Sequence, residues 1–271
     1  MRAAAVQMHC SADRAGNLDR AAALVGEAAS SGAQLIVLPE LFATLGRSAE
    51  MRAAAEPLEG PTLAWAGALA RHHRCSILAG SLVERRGEQL FNTSCLVGAD
   101  GALLAHYRKV HLFDIDLEGA VSRESDTFSA GEDAVVATLD DGTLVGLTIC
   151  YDLRFPELFR IEALRGATVI TAPSAFTEAT GRDHWQLLVR ARAVENQVAL
   201  IAAAQWGTSP DGVARHGHAL IVDAWGTVLA EAPAEGDCVI TAEISTESIE
   251  RTRRRLPSLA NRRPSAYRWP G

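Results

Sequence analysis

Roughly a dozen short strand-like runs, with only four or five long helical stretches among them, leave this chain few ways to fold. Gln34-Leu35-Ile36-Val37-Leu38 is apolar after its first residue and stops at Pro39, the pattern of a strand buried on both faces. Other strands are expected at Arg2–Met8, Ser76–Val83, Leu90–Val97, Ala102–Tyr107, Ala134–Leu139, Thr143–Ile149, Thr168–Ala172, Val198–Ala204, Ala219–Val222, Val228–Glu231 and Asp237–Ala242. Helical spacing marks Asn17–Ser30, Pro61–Arg74, Pro156–Leu164, Asp183–Glu195 and Thr246–Arg255, and Pro156 suits a first helical position. A loop is expected over residues 110–132. So many strands exceed one doubly wound sheet, whereas two stacked sheets covered outside by helices would hold them.

No linker, repeat or low-complexity tract divides the chain, so residues 1–250 read as one domain. Residues 251–271 carry seven arginines, three prolines and no acid, a basic tail expected to pack on the domain or on a neighbouring subunit. The net charge of −7 speaks against a dedicated nucleic-acid binder. No apolar run reaches membrane-spanning length, and the amino terminus lacks the pattern of a signal peptide. Five scattered cysteines (an odd number, with no CxxC pair) suit a reducing, cytoplasmic compartment.

Against 25 arginines the chain has a single lysine, Lys109. Lysine is a compact charge whose pKa burial can tune, and arginine cannot replace it in that role. Cys150 follows the apolar run Leu144–Ile149 and precedes a turn into a helix, a place where a nucleophile is held rigidly and backbone N–H groups can meet an anion. The helix end and a nearby ammonium are expected to lower the thiol pKa. Glu40 also stands just past a strand, beside Leu41 and Phe42, where desolvation is expected to raise its pKa and make it a base. The three strand ends converge only if their strands point the same way.

Leu38-Pro39-Glu40, Tyr107-Arg108-Lys109-Val110-His111-Leu112 and Ile149-Cys150-Tyr151-Asp152-Leu153-Arg154-Phe155-Pro156-Glu157-Leu158 resemble, in order and separation, the three signature segments of the nitrilase superfamily. The resemblance covers nearly the whole chain. It implies a single-domain α/β fold, a four-layer α-β-β-α sandwich, dimerised through one helical face. It also implies Glu40 as general base, Lys109 as oxyanion stabiliser and Cys150 as nucleophile, with a second active-site glutamate at Glu124 or, less well matched, Glu118. No metal or organic cofactor is called for.

Tyr151-Asp152 after the cysteine, and Pro173-Ser174-Ala175-Phe176-Thr177 further on, resemble the amidase branch. Within it, Ala202–Gly207 and Asp223–Thr227 resemble deaminated-glutathione amidases more than omega-amidases. The substrate implied is a small α-keto carboxylate amide. Arg154 is expected to grip its carboxylate, with Tyr151, Phe176 and Thr180 as further substrate contacts. Two other readings remain: a cysteine protease pairing Cys150 with His106, His111 or His184, and a non-catalytic metabolite binder. His216-Gly217-His218 lacks a cysteine partner and reads as structural. Asn92-Thr93-Ser94 matches a glycosylation pattern by chance, and Asp152 and Glu157 read as supporting residues.

Overall fold

A computed structural model of the chain describes residues 1–117 and 120–267. Glu118 lies outside the described residues, as do the last four residues of the tail. One sheet has nine strands. Its main path runs Ala214–His216, Ala204–Thr208, Arg2–Met8, Leu35–Val37, Ser76–Leu78, Gln89–Val97, Leu82–Arg86. Cys238–Glu243 pairs antiparallel with Arg2–Met8, and Leu103–Arg108 pairs antiparallel with Gln89–Val97. The second sheet has six strands, in the order Val228–Glu231, Leu220–Val222, Ala199–Ala202, Val169–Thr171, Leu144–Leu147, Val135–Thr138.

The pleat sorts side chains between layers. Ala4, Val6, Met8 and Ile36 pack with Ala21, Val25 and Ala28 of the helix Arg14–Ser30 and with Ala66 and Ala70 of the helix Pro61–His73. Their sequence neighbours Ala3, Ala5, Leu35 and Val37 face the other way and join the cluster of the six-stranded sheet. That cluster extends to Phe159 and Ala163 of the helix Pro156–Leu164 and to Trp185 and Val189 of the helix Glu178–Asn196. The result is the expected α-β-β-α sandwich. Alanines fill many facing positions and let the layers approach closely.

Strand direction decides where the site forms. Arg2–Met8, Leu35–Val37 and Ser76–Leu78 are mutually parallel. Two antiparallel steps, through Gln89–Val97, return Leu103–Arg108 to the same direction. Leu144–Leu147, Val169–Thr171 and Ala199–Ala202 are parallel in the other sheet. The chain passes from Ala199–Ala202 through Ala203 into Ala204–Thr208, which pairs parallel with Arg2–Met8. Crossing between sheets without reversing, it gives both sheets the same carboxyl-end edge. The ends bearing Glu40, Lys109 and Cys150 therefore meet.

Several expectations change. The expected strand Val198–Ala204 is divided between the two sheets, as Ala199–Ala202 and the start of Ala204–Thr208, and Ala214–His216 is a further strand. Ser76–Val83 is two strands, Ser76–Leu78 and Leu82–Arg86, because Gly80 turns the chain where a Cβ would lie 1.9 Å from the Pro39 carbonyl oxygen. The 110–132 loop contains the hairpin Asp114–Leu117/Ala120–Arg123 and a 3-10 turn at Glu124–Asp126. A short helix, Ser48–Ala54, stands where none was read. The start of the basic tail belongs to the helix Thr246–Arg255, whose Arg253 donates to the carbonyls of Gln197 and Ala167 at 3.0 and 2.8 Å. Among the described residues no helix is long and apolar enough to cross a membrane.

Candidate active site

Cys150 opens a 3-10 turn, Cys150–Arg154, separated from the strand Leu144–Leu147 by Thr148 and Ile149. Its φ is +48°, a left-handed conformation that a residue with a Cβ adopts only under constraint. The constraints are visible. Cys150 N donates to the Pro173 carbonyl at 3.0 Å. Asp152, fully buried, accepts from Ile149 N at 2.8 Å, Tyr107 Oη at 2.8 Å, and His111 N and Nδ1 at 3.2 and 2.7 Å. Asp152 thus ties the turn to the strand end that carries Lys109. Among the described residues the Tyr151 N–H meets no protein acceptor, so it is available to an anion forming beside Sγ.

Glu40 is buried, and each of its oxygens is held. Oε1 accepts from Lys109 Nζ at 2.8 Å and Asn92 Nδ2 at 2.9 Å, and Oε2 accepts from Ala175 N at 2.9 Å. Its own carbonyl accepts from Gln205 Nε2 at 2.5 Å. Lys109 is also buried and donates a second time to Glu124, whose oxygens lie at 3.1 and 2.9 Å from Nζ. Asn92 donates to Glu124 Oε1 at 3.1 Å, and Phe113 N donates to Oε2 at 2.6 Å. Glu124, the better matched of the two candidate second glutamates, is therefore part of the group.

The charge states differ from the expectation. Burial of Glu40 raises its carboxyl, but the charge and hydrogen bond of Lys109, helped by the Cys150 thiol and Ala175 N, pull it below the usual carboxylate range. The Lys109 pKa, which burial lowers, is carried well above its ordinary value by Glu124 and Glu40. Burial and the Glu40 charge push the Cys150 thiol up, and Lys109 offsets them only in part. The resting site is a carboxylate, an ammonium and a neutral thiol. Burial likewise pushes two other cysteines up, Cys75 to about 11 and Cys95 to about 12.

A cavity of about 820 Å³ opens onto Cys150, Lys109, Glu40 and Glu124, and Tyr151, Phe176 and Thr180 line it too. Arg154 does not. Its guanidinium lies behind the rings of Tyr151 and Phe176, 5.8 and 5.5 Å from their centroids, and 3.4 Å from His184 Nδ1. His111 is engaged by Asp152 and stacked on Phe155 at 3.6 Å. His216 pairs with Glu178 at 2.7 Å and His218 with Glu231 at 3.3 Å. Asn92, Gln205 and the Ala175 peptide were not anticipated as site groups. Asn92 lies within the glycosylation-like triplet, but it is fully buried under Glu40.

A thiol held at a strained turn, a buried carboxylate and an ammonium meet at one cavity, an arrangement with the chemistry a thiol nucleophile would use. The carbon-nitrogen hydrolase family profile matches residues 2–254, and the chain belongs to that family, within the nitrilase superfamily. It is 40% identical over 265 residues to the deaminated glutathione amidase of Synechocystis sp., covering 96% of this chain and 97% of that protein. It is 38% identical over 267 residues to a chloroplastic omega-amidase of Arabidopsis thaliana, covering 96% of this chain and 72% of that one. The NitFhit protein of C. elegans superposes with a TM-score of 0.90 at 32% identity, covering 98% of this chain and 66% of that longer chain.

Proposed function

We propose that this enzyme hydrolyses the amide bond of a small α-keto carboxylate through a thioester on Cys150, with deaminated glutathione as its substrate. The observation that carries the mechanism is the buried contact of Lys109 with both Glu40 and Glu124, facing a strained Cys150 across one cavity. Glu40 takes the thiol proton as Sγ attacks the amide carbon. The oxyanion is met by the Lys109 ammonium and the Tyr151 N–H. The amine leaves with the proton that Glu40 carried, and the acyl group stays on sulfur. Glu40 then takes a proton from water, whose oxygen attacks the thioester, and the acid departs as Sγ regains a proton. Glu124 keeps the ammonium aimed. The cycle uses only the chain and water.

The cavity volume supports the larger substrate: about 820 Å³ leaves space beyond a keto-amide chain for a dipeptide leaving group. The 40% identity to a deaminated glutathione amidase is consistent with this, and the 38% to an omega-amidase keeps the smaller substrate as the alternative. A homodimer is also proposed. Leu187 and Val194 on the helix Glu178–Asn196, Ile161 and Leu164 on Pro156–Leu164, and Trp225 in the turn whose Gly226 lies against Val194 place exposed apolar side chains on that outer face. The five free cysteines suit a cytoplasmic location.

Hydrolysis of deaminated glutathione and of α-ketoglutaramate, by wild type and Cys150→Ala, tests the reading. Preference for the former and an inactive variant are expected. Preference for α-ketoglutaramate would make the protein an omega-amidase with the same chemistry. Activity in Cys150→Ala would overturn the mechanism.

A further inference from the structure

We infer that Arg47 is the residue that receives a substrate carboxylate in this cavity, an inference that rests on reading the site as one for an acidic amide. The reacting group holds two carboxylates, Glu40 and Glu124, against one ammonium. An acidic substrate therefore needs a cation elsewhere in the cavity. Arg154, the expected partner, does not line it.

Three arginines do: Arg47, Arg123 and Arg215. Arg123 turns back onto its own hairpin, with Nη1 donating to the carbonyls of Ile115 and Ser122 at 2.7 and 2.9 Å and Nη2 3.6 Å from Asp116. Arg215 is committed at all three nitrogens. Nε donates to Ser209 Oγ at 2.9 Å, Nη1 to the Ala175 carbonyl at 3.0 Å and Nη2 to Asp211 at 2.6 Å. Among the described residues the Arg47 guanidinium has neither an ion pair nor a hydrogen bond; its backbone is held, the N–H donating to Glu50 Oε2 at 2.7 Å and the carbonyl accepting from Met51 N at 3.1 Å.

The segment that carries Arg47 is anchored. Leu45 N donates to the Ser11 carbonyl at 3.0 Å, and Thr127 Oγ1 donates to Ser48 Oγ at 2.8 Å. A fixed backbone carrying a guanidinium with no partner among the described residues, seven residues beyond Glu40 and lining the same cavity, suits forked capture of a carboxylate. Deaminated glutathione carries one such group on each side of its scissile bond: the keto-acid carboxylate of the acyl half and the terminal carboxylate of the leaving dipeptide.

The test compares kcat/KM of wild type, Arg47→Lys and Arg47→Gln on deaminated glutathione and α-ketoglutaramate, each relative to neutral propionamide. The expected result for Arg47→Gln is a roughly 10- to 100-fold relative loss, carried by KM, with partial recovery in Arg47→Lys. Loss on both acidic amides assigns Arg47 to the acyl half, and loss on deaminated glutathione alone assigns it to the leaving half. An unchanged ratio on both overturns the inference. A second readout needs no turnover: protection of Cys150 from iodoacetamide by α-ketoglutarate or by alanylglycine, a thiol-free stand-in for the leaving dipeptide. One of the two should protect wild type and fail to protect Arg47→Gln. Arg47-dependent protection without turnover of either acidic amide would sink the substrate reading while sparing Arg47. Protection that ignores Arg47 for both probes would overturn Arg47 alone.

Discussion

Lys109 Nζ lies 2.8 Å from Oε1 of Glu40, with both side chains almost wholly shielded from water. Burial alone would raise the carboxyl pKa, and the ammonium reverses that direction. In the proposed mechanism the base is thus ready before substrate arrives, while the thiol it would serve stays protonated. On that reading proton transfer waits for the moment of attack, when the new oxyanion would give Lys109 a further partner.

A pH profile follows from the sign of that shift. Glu40 acts only when deprotonated, and its pKa is lowered, so the acid limb of kcat/KM should fall below the ordinary glutamate value of about 4.3. Initial rates across the acid range check it, provided the fold is monitored alongside. A limb centred above about pH 6 would mean that another group is the base.

Lys109→Met should lower kcat by about 10²–10³ from loss of an oxyanion donor alone, and stranding Glu40 and Glu124 adds to it. Lys109→Arg should also be impaired, because a planar guanidinium does not fit a buried ammonium site with two carboxylates. His106→Ala and His184→Ala should retain activity. The opposite pattern, with Lys109→Arg active and a histidine variant dead, would restore the cysteine–histidine alternative.

Asp152→Asn should disturb the nucleophile turn without touching substrate. The carboxylate accepts from Ile149, Tyr107 and His111, and an amide cannot satisfy the same donors. A loss of about 1–3 kcal/mol is expected for each donor left unsatisfied, with reduced kcat, read by denaturant melts and steady-state kinetics. Unaltered stability would remove Asp152 from its supporting role.

Much of this site was legible because its residues sit at strand ends. Apolar runs ending at Pro39 and Ile149 mark where regular pairing stops, and the lone lysine stands out against 25 arginines. The first strand and the helices Pro156–Leu164 and Thr246–Arg255 have the bounds expected from their periodicity and caps. The pKa directions were not legible, since they depend on a contact between residues 69 positions apart. Asn92 and Gln205 were hidden because they lie inside strands whose pattern gives no sign that a polar side chain will be buried beneath a carboxylate. Arg154 misled in a similar way. Its place after the cysteine is local, but the direction of its side chain depends on Tyr151 and Phe176.

Glu162 is a buried carboxyl outside this machinery, with no ion-pair partner among the described residues and only the Leu147 N–H approaching as a donor. Burial, reinforced by the charge of Asp152, holds its pKa well above the ordinary value. The folded state then binds a proton that the unfolded chain releases, so stability falls as pH rises past the unfolded value. Glu162→Gln should flatten that decline, giving a smaller drop in Tm between about pH 5 and pH 8 than wild type shows. Parallel thermal melts at the two pH values decide it, and equal slopes would contradict it.

The central claim is that acyl transfer passes through Cys150. Rapid-quench intact-mass spectrometry during turnover of deaminated glutathione tests it most directly. An α-ketoglutaryl adduct mapping to the Cys150 peptide is predicted, appearing before steady state and absent from Cys150→Ala. Full turnover with no adduct, together with undiminished activity in Cys150→Ala, would contradict it.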